Sequence, residues 1–116
     1  MTVFLLKRGD SIALCKRSSV GLLSGMWEFP NTDGFLTRQQ AEEWLRQRGV
    51  TLESLRSAGK AKHIFSHIEW DMRVWLAECN CLGKQFEIVT QRQLNDHVAL
   101  PTAFGQLVPF LKKEGE

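Results

Sequence analysis

The stretch Trp70 to Leu76, WDMRVWL, alternates with a period of two. Trp70, Met72, Val74 and Leu76 fall on one face, and Asp71, Arg73 and Trp75 on the other. Only an extended strand has that period, because its successive side chains leave the backbone on opposite sides. A strand with so apolar a face must sit in a sheet with that face covered, so the chain is committed to a sheet-containing core.

The rest of the chain predicts what surrounds that strand. Val3 to Leu6 and Ile12 to Cys15 flank Lys7-Arg8-Gly9-Asp10 and read as a β-hairpin. Ser18 to Ser24 is loop-like, with Gly21 and then Gly25. Met26 to Phe29 is a short apolar piece ended by Pro30, and Asn31 to Gly34 is a turn cluster. Thr37 offers an N-cap, followed by Ala41, Trp44 and Leu45 at i, i+3 and i+4. This helix should run to about Arg48 and stop at Gly49, with Gln39, Glu42, Arg46 and Gln47 facing water. Leu52 to Leu55 reads as a second short turn and Lys62 to Ile64 as the start of a strand. Leu82-Gly83-Lys84 turns into a strand over Phe86 to Val89, and Gln91 to Asp96 is a short helical turn. Pro101 suits a helix start, and Phe104, Leu107, Val108 and Leu111 mark an apolar face that Pro109 must interrupt. The short charged tail Lys112 to Glu116 is expected to fray. The order predicts one α+β domain across residues 1–116, with a mixed or mainly antiparallel sheet packed with helices.

Charge and cysteines narrow the setting. Fifteen Lys and Arg against thirteen Asp and Glu leave a net +2, too weak a bias by itself to argue a nucleic-acid partner. Cys15, Cys79 and Cys81 are an odd set without a paired framework, which fits three free thiols in or near strands and a reducing, cytoplasmic compartment. No stretch has the length of a signal or membrane-spanning segment. A monomer is expected.

Chemistry concentrates at Lys60 to Trp70, KAKHIFSHIEW. It holds Lys60, Lys62, His63 and His67, and no carboxylate before Glu69. Phe65, Ser66 and His67 set a ring, a hydroxyl and an imidazole side by side, equipment for gripping a phosphate backbone and reading a base edge. The same residues also fit a bent core strand with surface histidines. Lys7, Arg8, Lys16 and Arg17 could extend a basic surface, although a charge pair beside a hairpin is usually just solvated.

GLLSGMWEFP (Gly21 to Pro30), KHIFSHIEWDMRVWL (Lys62 to Leu76) and ALPTAF (Ala99 to Phe104) resemble the C-terminal domain of bacterial A/G-specific adenine DNA glycosylases, a domain of Nudix-like fold. The middle segment is the most specific, and the first alone would fit many Nudix proteins. The resemblance implies a parent enzyme that removes adenine opposite 8-oxoguanine in duplex DNA during base excision repair, at the nucleoid. The parent's helical N-terminal catalytic domain, with its iron–sulfur cluster, is absent from this sequence; three cysteines could not supply a four-cysteine cluster. That catalytic domain and the lesion-containing duplex are the implied partners. Trp75 then suits either a contact with the catalytic domain or a second core layer under a helix.

The alternative implied by the fold is an active nucleotide pyrophosphohydrolase. Such an enzyme needs helix carboxylates for magnesium, a hard cation that takes oxygen ligands. The family's box ends in R-E-U-x-E-E-x-G-U, with U apolar. Ended at Gly49-Val50, it places Glu42 where Arg is expected, matches Glu43 and Trp44, and sets Arg46 and Gln47 in the two metal-binding carboxylate positions. Glu42 and Glu43 diverge by about 100° around a helix and cannot chelate together. No metal, no cofactor and no catalysis are therefore expected of this chain.

By the resemblance, Ser66 touches the N7–H/O8 edge of 8-oxoguanine, Phe65 shapes the loop, His67 supports it or meets the backbone, and Lys60 and Lys62 contact phosphates. A lesion reader must offer an acceptor where guanine would need a donor. A hydroxyl can do both, so Ser66 discriminates only if its proton is committed elsewhere.

Overall fold

A computed structural model of the chain describes residues 1–19, 21–96, 98 and 100–112, the last by its backbone. Ala99 of the ALPTAF segment and nearly all of the charged tail lie outside the described residues. The strands are β1 (Thr2–Arg8), β2 (Ser11–Lys16), β3 (Trp27–Glu28), β4 (Asn31–Thr32), β5 (Val50–Phe65), β6 (Ile68–Leu82) and β7 (Glu87–Thr90). The helices are α1 (Arg38–Gln47), α2 (Gln91–Asp96) and α3 (Thr102–Gly105), with a closing 3₁₀ turn over Val108–Lys112. One mixed sheet runs β3-β2-β1-β6-β5, with β4 on β1 and β7 on β2. β1 and β6 pair in parallel from Thr2↔Arg73 to Lys7↔Glu78, and the other pairings are antiparallel. The α+β expectation holds.

From Val3↔Val74 to Leu6↔Ala77, β1 and β6 lie side by side in mid-sheet and both of their faces are covered. Val3, Leu5, Met72, Val74 and Leu76 face a core closed by Leu94, Phe104, Leu107 and Leu111. Phe4, Leu6, Ala77 and Cys79 face a second core closed by Ala41 and Leu45 of α1, and Trp75 packs there, beneath the helix. The helix starts where its cap residues dictate. Thr37 accepts from the Gln40 amide at 3.2 Å, and the Gln40 side chain accepts from the Thr37 amide at 2.9 Å. It stops at Gly49, whose φ is +79°. The chain doubles back against this end at Gly83, where a Cβ would lie 2.6 Å from the Arg48 carbonyl.

Two sequence expectations need correction. Leu52 to Leu55 is part of β5 rather than a turn, and Lys62 to Ile64 lies near the end of that sixteen-residue strand rather than at its start. Register shifts at Thr51/Leu52, Leu52/Ser54 and Ser57/Gly59 break the period of two and hide the strand. Asn31 and Thr32 pair with β1 before the chain turns. Pro109 interrupts as expected: α3 ends at Gly105 and a 3₁₀ turn follows. Among the described residues no helix is long and apolar enough to cross a membrane.

Candidate nucleic-acid interface

β5 and β6 close on a two-residue turn, Ser66-His67, inside the pair Phe65↔Ile68. The pair Thr2↔Arg73 is the last between β1 and β6, so beyond it the two strands run on as a projecting ribbon. Ser66 and His67 are exposed at its end, flanked by Ile64 at 65% and Ile68 at 48% exposure. Among the described residues neither the Ser66 hydroxyl nor the His67 ring is engaged in a hydrogen bond. The loop therefore leaves the Ser66 proton free to rotate.

Rings brace one face of the ribbon. His63 meets Phe65 edge-on at 4.6 Å, Phe65 meets Trp70 at 4.9 Å, and Trp70 leans on the fully buried Phe104 at 5.6 Å. Contacts of this geometry add to simple area burial. The Arg17 guanidinium lies over the Trp70 ring, 4.9 Å from its centroid. Arg17 also donates to Glu28 at 2.7 Å and to the Leu22 carbonyl at 2.9 Å. The segments Gly21–Pro30, Lys62–Leu76 and ALPTAF thus converge on Trp70. Arg17, expected either to extend a basic surface or to be solvated beside Lys16, is instead packed against Trp70 and paired with Glu28.

Lys60 and Lys62 are not brought beside Phe65. Their cross-strand partners are Arg73 and Asp71, whereas those of His63 and Phe65 are Trp70 and Ile68, so the lysines occupy the ribbon's opposite face. There they line a shallow groove with Phe35, Asp71 and Arg73, and the Arg73 guanidinium sits 4.5 Å from the Phe35 ring. Lys62 pairs with Glu69 at 3.5 Å.

On the outer face of α1 the Glu43 carboxylate is held by its helix neighbours. Arg46 grips both oxygens of Glu43 at 2.6 Å, and Gln47 donates to the same carboxylate at 3.2 Å. The hydrogen bonds from Arg46 hold the Glu43 carboxyl below its ordinary value, and Glu43 raises the guanidinium in return. Trp44 of α1 and the C-cap residue Arg48 turn toward a concavity shared with Cys15, Asn31 and Phe86. Trp44 stacks on buried Phe4 at 4.7 Å, and Arg48 covers its ring at 3.7 Å. Glu28, the acid closest to this region, is already bonded to Arg17 and Asn31. Burial, with Glu28 beside it, pushes the Cys15 thiol up to about 12, so it is a poor metal ligand at neutral pH. Among the described residues no three His, Cys, Asp or Glu side chains are grouped to hold a metal.

Three solved structures share the architecture. The C-terminal domain of mouse MUTYH, in complex with human PCNA, superposes with a TM-score of 0.71 at 20% identity, covering 94% of this chain and 83% of that one. A MutT NUDIX hydrolase from Burkholderia pseudomallei gives 0.69 at 18%, covering 95% of each. The MutT protein from Methanosarcina mazei Go1 gives 0.66 at 19%, covering 99% and 93%. Such identities establish a common fold and leave activity open. The NUDIX domain family model matches residues 2–109, nearly the whole chain, and the chain belongs to that family.

Proposed function

We propose that this chain is the lesion-recognition domain of an A/G-specific adenine DNA glycosylase, binding 8-oxoguanine opposite adenine in duplex DNA and leaving base removal to a separate catalytic domain. The observation that carries the reading is the braced tip: Ser66 and His67 project on a ribbon held from behind by Phe65, Trp70 and Phe104. The α1 geometry supports it from the other side. A guanidinium and an amide hold Glu43, and a cation brought there would have to displace both.

In this reading Ser66 accepts from N7–H of the lesion, Phe65 holds the turn open, and His67 meets the backbone. Lys60 and Lys62 contact phosphates from the ribbon's other face, Lys60 more strongly because Lys62 already has Glu69. The mobile Ser66 proton limits discrimination, since the hydroxyl can also donate to N7 of ordinary guanine. One neutral hydrogen bond is worth about 0.5–1.5 kcal/mol, so Ser66→Ala should lower the preference for 8-oxoguanine:A over G:A duplexes by about tenfold at most. Titration of both labelled duplexes with the wild-type and variant chains measures it; an unchanged preference refutes the role of Ser66.

The MutT neighbours keep a hydrolase reading in view. It requires magnesium-dependent release of pyrophosphate or phosphate from a nucleoside triphosphate. Turnover that disappears in a Trp44 or Glu43 variant would replace the glycosylase reading.

A further inference from the structure

We infer that Arg17 is a positioning residue for the Phe65–Ile68 tip: through Trp70 it sets the angle at which the turn meets its ligand, without touching that ligand. This rests on the lesion-recognition reading above.

The need for a brace follows from the topology. Past Arg73, β6 has no β1 residue beside it, and the ribbon from Ala61↔Met72 to Phe65↔Ile68 is only two strands wide. Two-stranded ribbons twist strongly and are marginal on their own. On the opposite face Lys62, Ile64 and Asp71 are exposed, so no packed layer covers that side of the ribbon. The ribbon's edges are tied by the Met1 ammonium, which donates to the Asp71 carbonyl at 2.6 Å, and by the Gln106 side chain, which donates to the Lys62 carbonyl at 3.3 Å; packing support comes from the Trp70 face. Phe104 fixes the inner side of Trp70, and Arg17 lies over the indole as well.

Arg17 suits this task because its own position is over-determined. Its side chain is 21% exposed and that of its ion-pair partner Glu28 is 13% exposed. Its backbone amide bonds the Met26 carbonyl at 2.9 Å, while its Nε bonds Leu22. Glu28 is held in turn by Asn31 at 2.8 Å. A planar guanidinium can stack on an indole and keep a forked set of hydrogen bonds at once, which an ammonium cannot. The glycine-rich loop and the reading tip are therefore mechanically one unit: a shift of residues 22–28 moves Arg17, then Trp70, then Phe65. Leu23, the one described non-glycine residue with positive φ, at 57°, lies in this loop.

The test is a double-mutant cycle on duplex preference, with 8-oxoguanine:A and G:A duplexes titrated separately. Arg17→Ala is expected to reduce the preference as far as Ser66→Ala does. The double variant should be no worse than Ser66→Ala alone, because a misaimed tip has no preference left to lose. Arg17→Lys keeps the charge beside Glu28 but loses the stacked fork, and should fall between wild type and Arg17→Ala. Trp70→Phe, which retains a ring against Phe104, should lose preference with the fold intact by circular dichroism; it carries the test if Arg17→Ala does not fold. Additive losses, or an equal weakening of both duplexes by Arg17→Ala, overturn the inference and make Arg17 a direct or purely structural contact. If Ser66→Ala changes nothing, the lesion-reading assignment itself fails; if Ser66→Ala acts and neither Arg17→Ala nor Trp70→Phe does, only the brace fails.

Discussion

The outer face of α1 and the β5–β6 tip both present polar side chains to water, but one is closed on itself and the other is not. On α1 the Glu43 carboxylate is taken up within a turn by both Arg46 and Gln47, and the Thr37–Gln40 box closes the first turn. At the tip the arrangement is reversed. Rings and a guanidinium fix the support, while the Ser66 hydroxyl and His67 imidazole keep their capacity free. Ground-state satisfaction on a helix favours stability and leaves nothing to offer a ligand, whereas a rigid element with unused donors and acceptors is what recognition needs. The four tryptophans sharpen the contrast, since each carries a cation over its ring: Lys16 on Trp27, Arg48 on Trp44, Arg17 on Trp70 and Arg38 on Trp75. Four of the fifteen Lys and Arg side chains thus lie over tryptophan rings.

The strongest way to break this comparison is to remove the central ring of each region. Trp70→Ala and Trp44→Ala each strip a half-buried indole from its stack on Phe104 or Phe4, and each should cost about 2–4 kcal/mol in urea unfolding, somewhat below the usual loss for a fully buried ring. The stability losses should match and the duplex behaviour should not. Trp70→Ala should erase the preference for the lesion, while Trp44→Ala leaves it intact in the fraction that remains folded. Loss of preference in both would mean that helix and tip are not separable.

Much of this architecture was legible in the sequence. Thr37 and Gly49 bounded α1 closely because caps are local chemistry. Trp70 to Leu76 declared a strand because an even burial pattern survives where no bulge intervenes. Less accessible was β5, whose alternation is broken by three register shifts and by Gly59 at φ +128°. The face occupied by Lys60 and Lys62 was hidden with it, since proximity in sequence to Phe65 says nothing about side until the strand is known to run unbroken. Arg17 was out of reach because its partner Trp70 lies far along the chain, and a single arginine in a loop carries no periodic signal.

A smaller effect sharpens the same division. Thr37→Ala removes a hydroxyl that satisfies one orphan amide at the start of α1 and unseats the Gln40 return bond. About 1 kcal/mol of stability should be lost in urea unfolding. Duplex preference should stay at the wild-type value, because the helix start has no contact with the brace. A change in preference would show that α1 supports the tip through the sheet.

The smallest effect is expected at Glu43. Hydrogen bonds from Arg46 lower its folded-state pKa, so whatever stability it adds is present above its unfolded value and is lost as pH falls through the folded one. The pair lies in solvent, however, with the two side chains 47% and 74% exposed, and salt screens such contacts. Glu43→Gln should therefore leave the unfolding midpoint unchanged at neutral pH in moderate salt. It should also flatten slightly the decline of the midpoint below about pH 4.5, the ordinary glutamate value from which this carboxyl is lowered. For recognition the variant should be silent, and for catalysis it is decisive. Glu43 is the carboxylate of the family's box that this helix retains in register, so a chain that hydrolyses nucleotides would lose turnover on its removal. A stable, lesion-discriminating Glu43→Gln chain assigns recognition to the tip alone, whereas one that stays folded and forfeits a magnesium-dependent activity moves the function of this NUDIX domain back to α1.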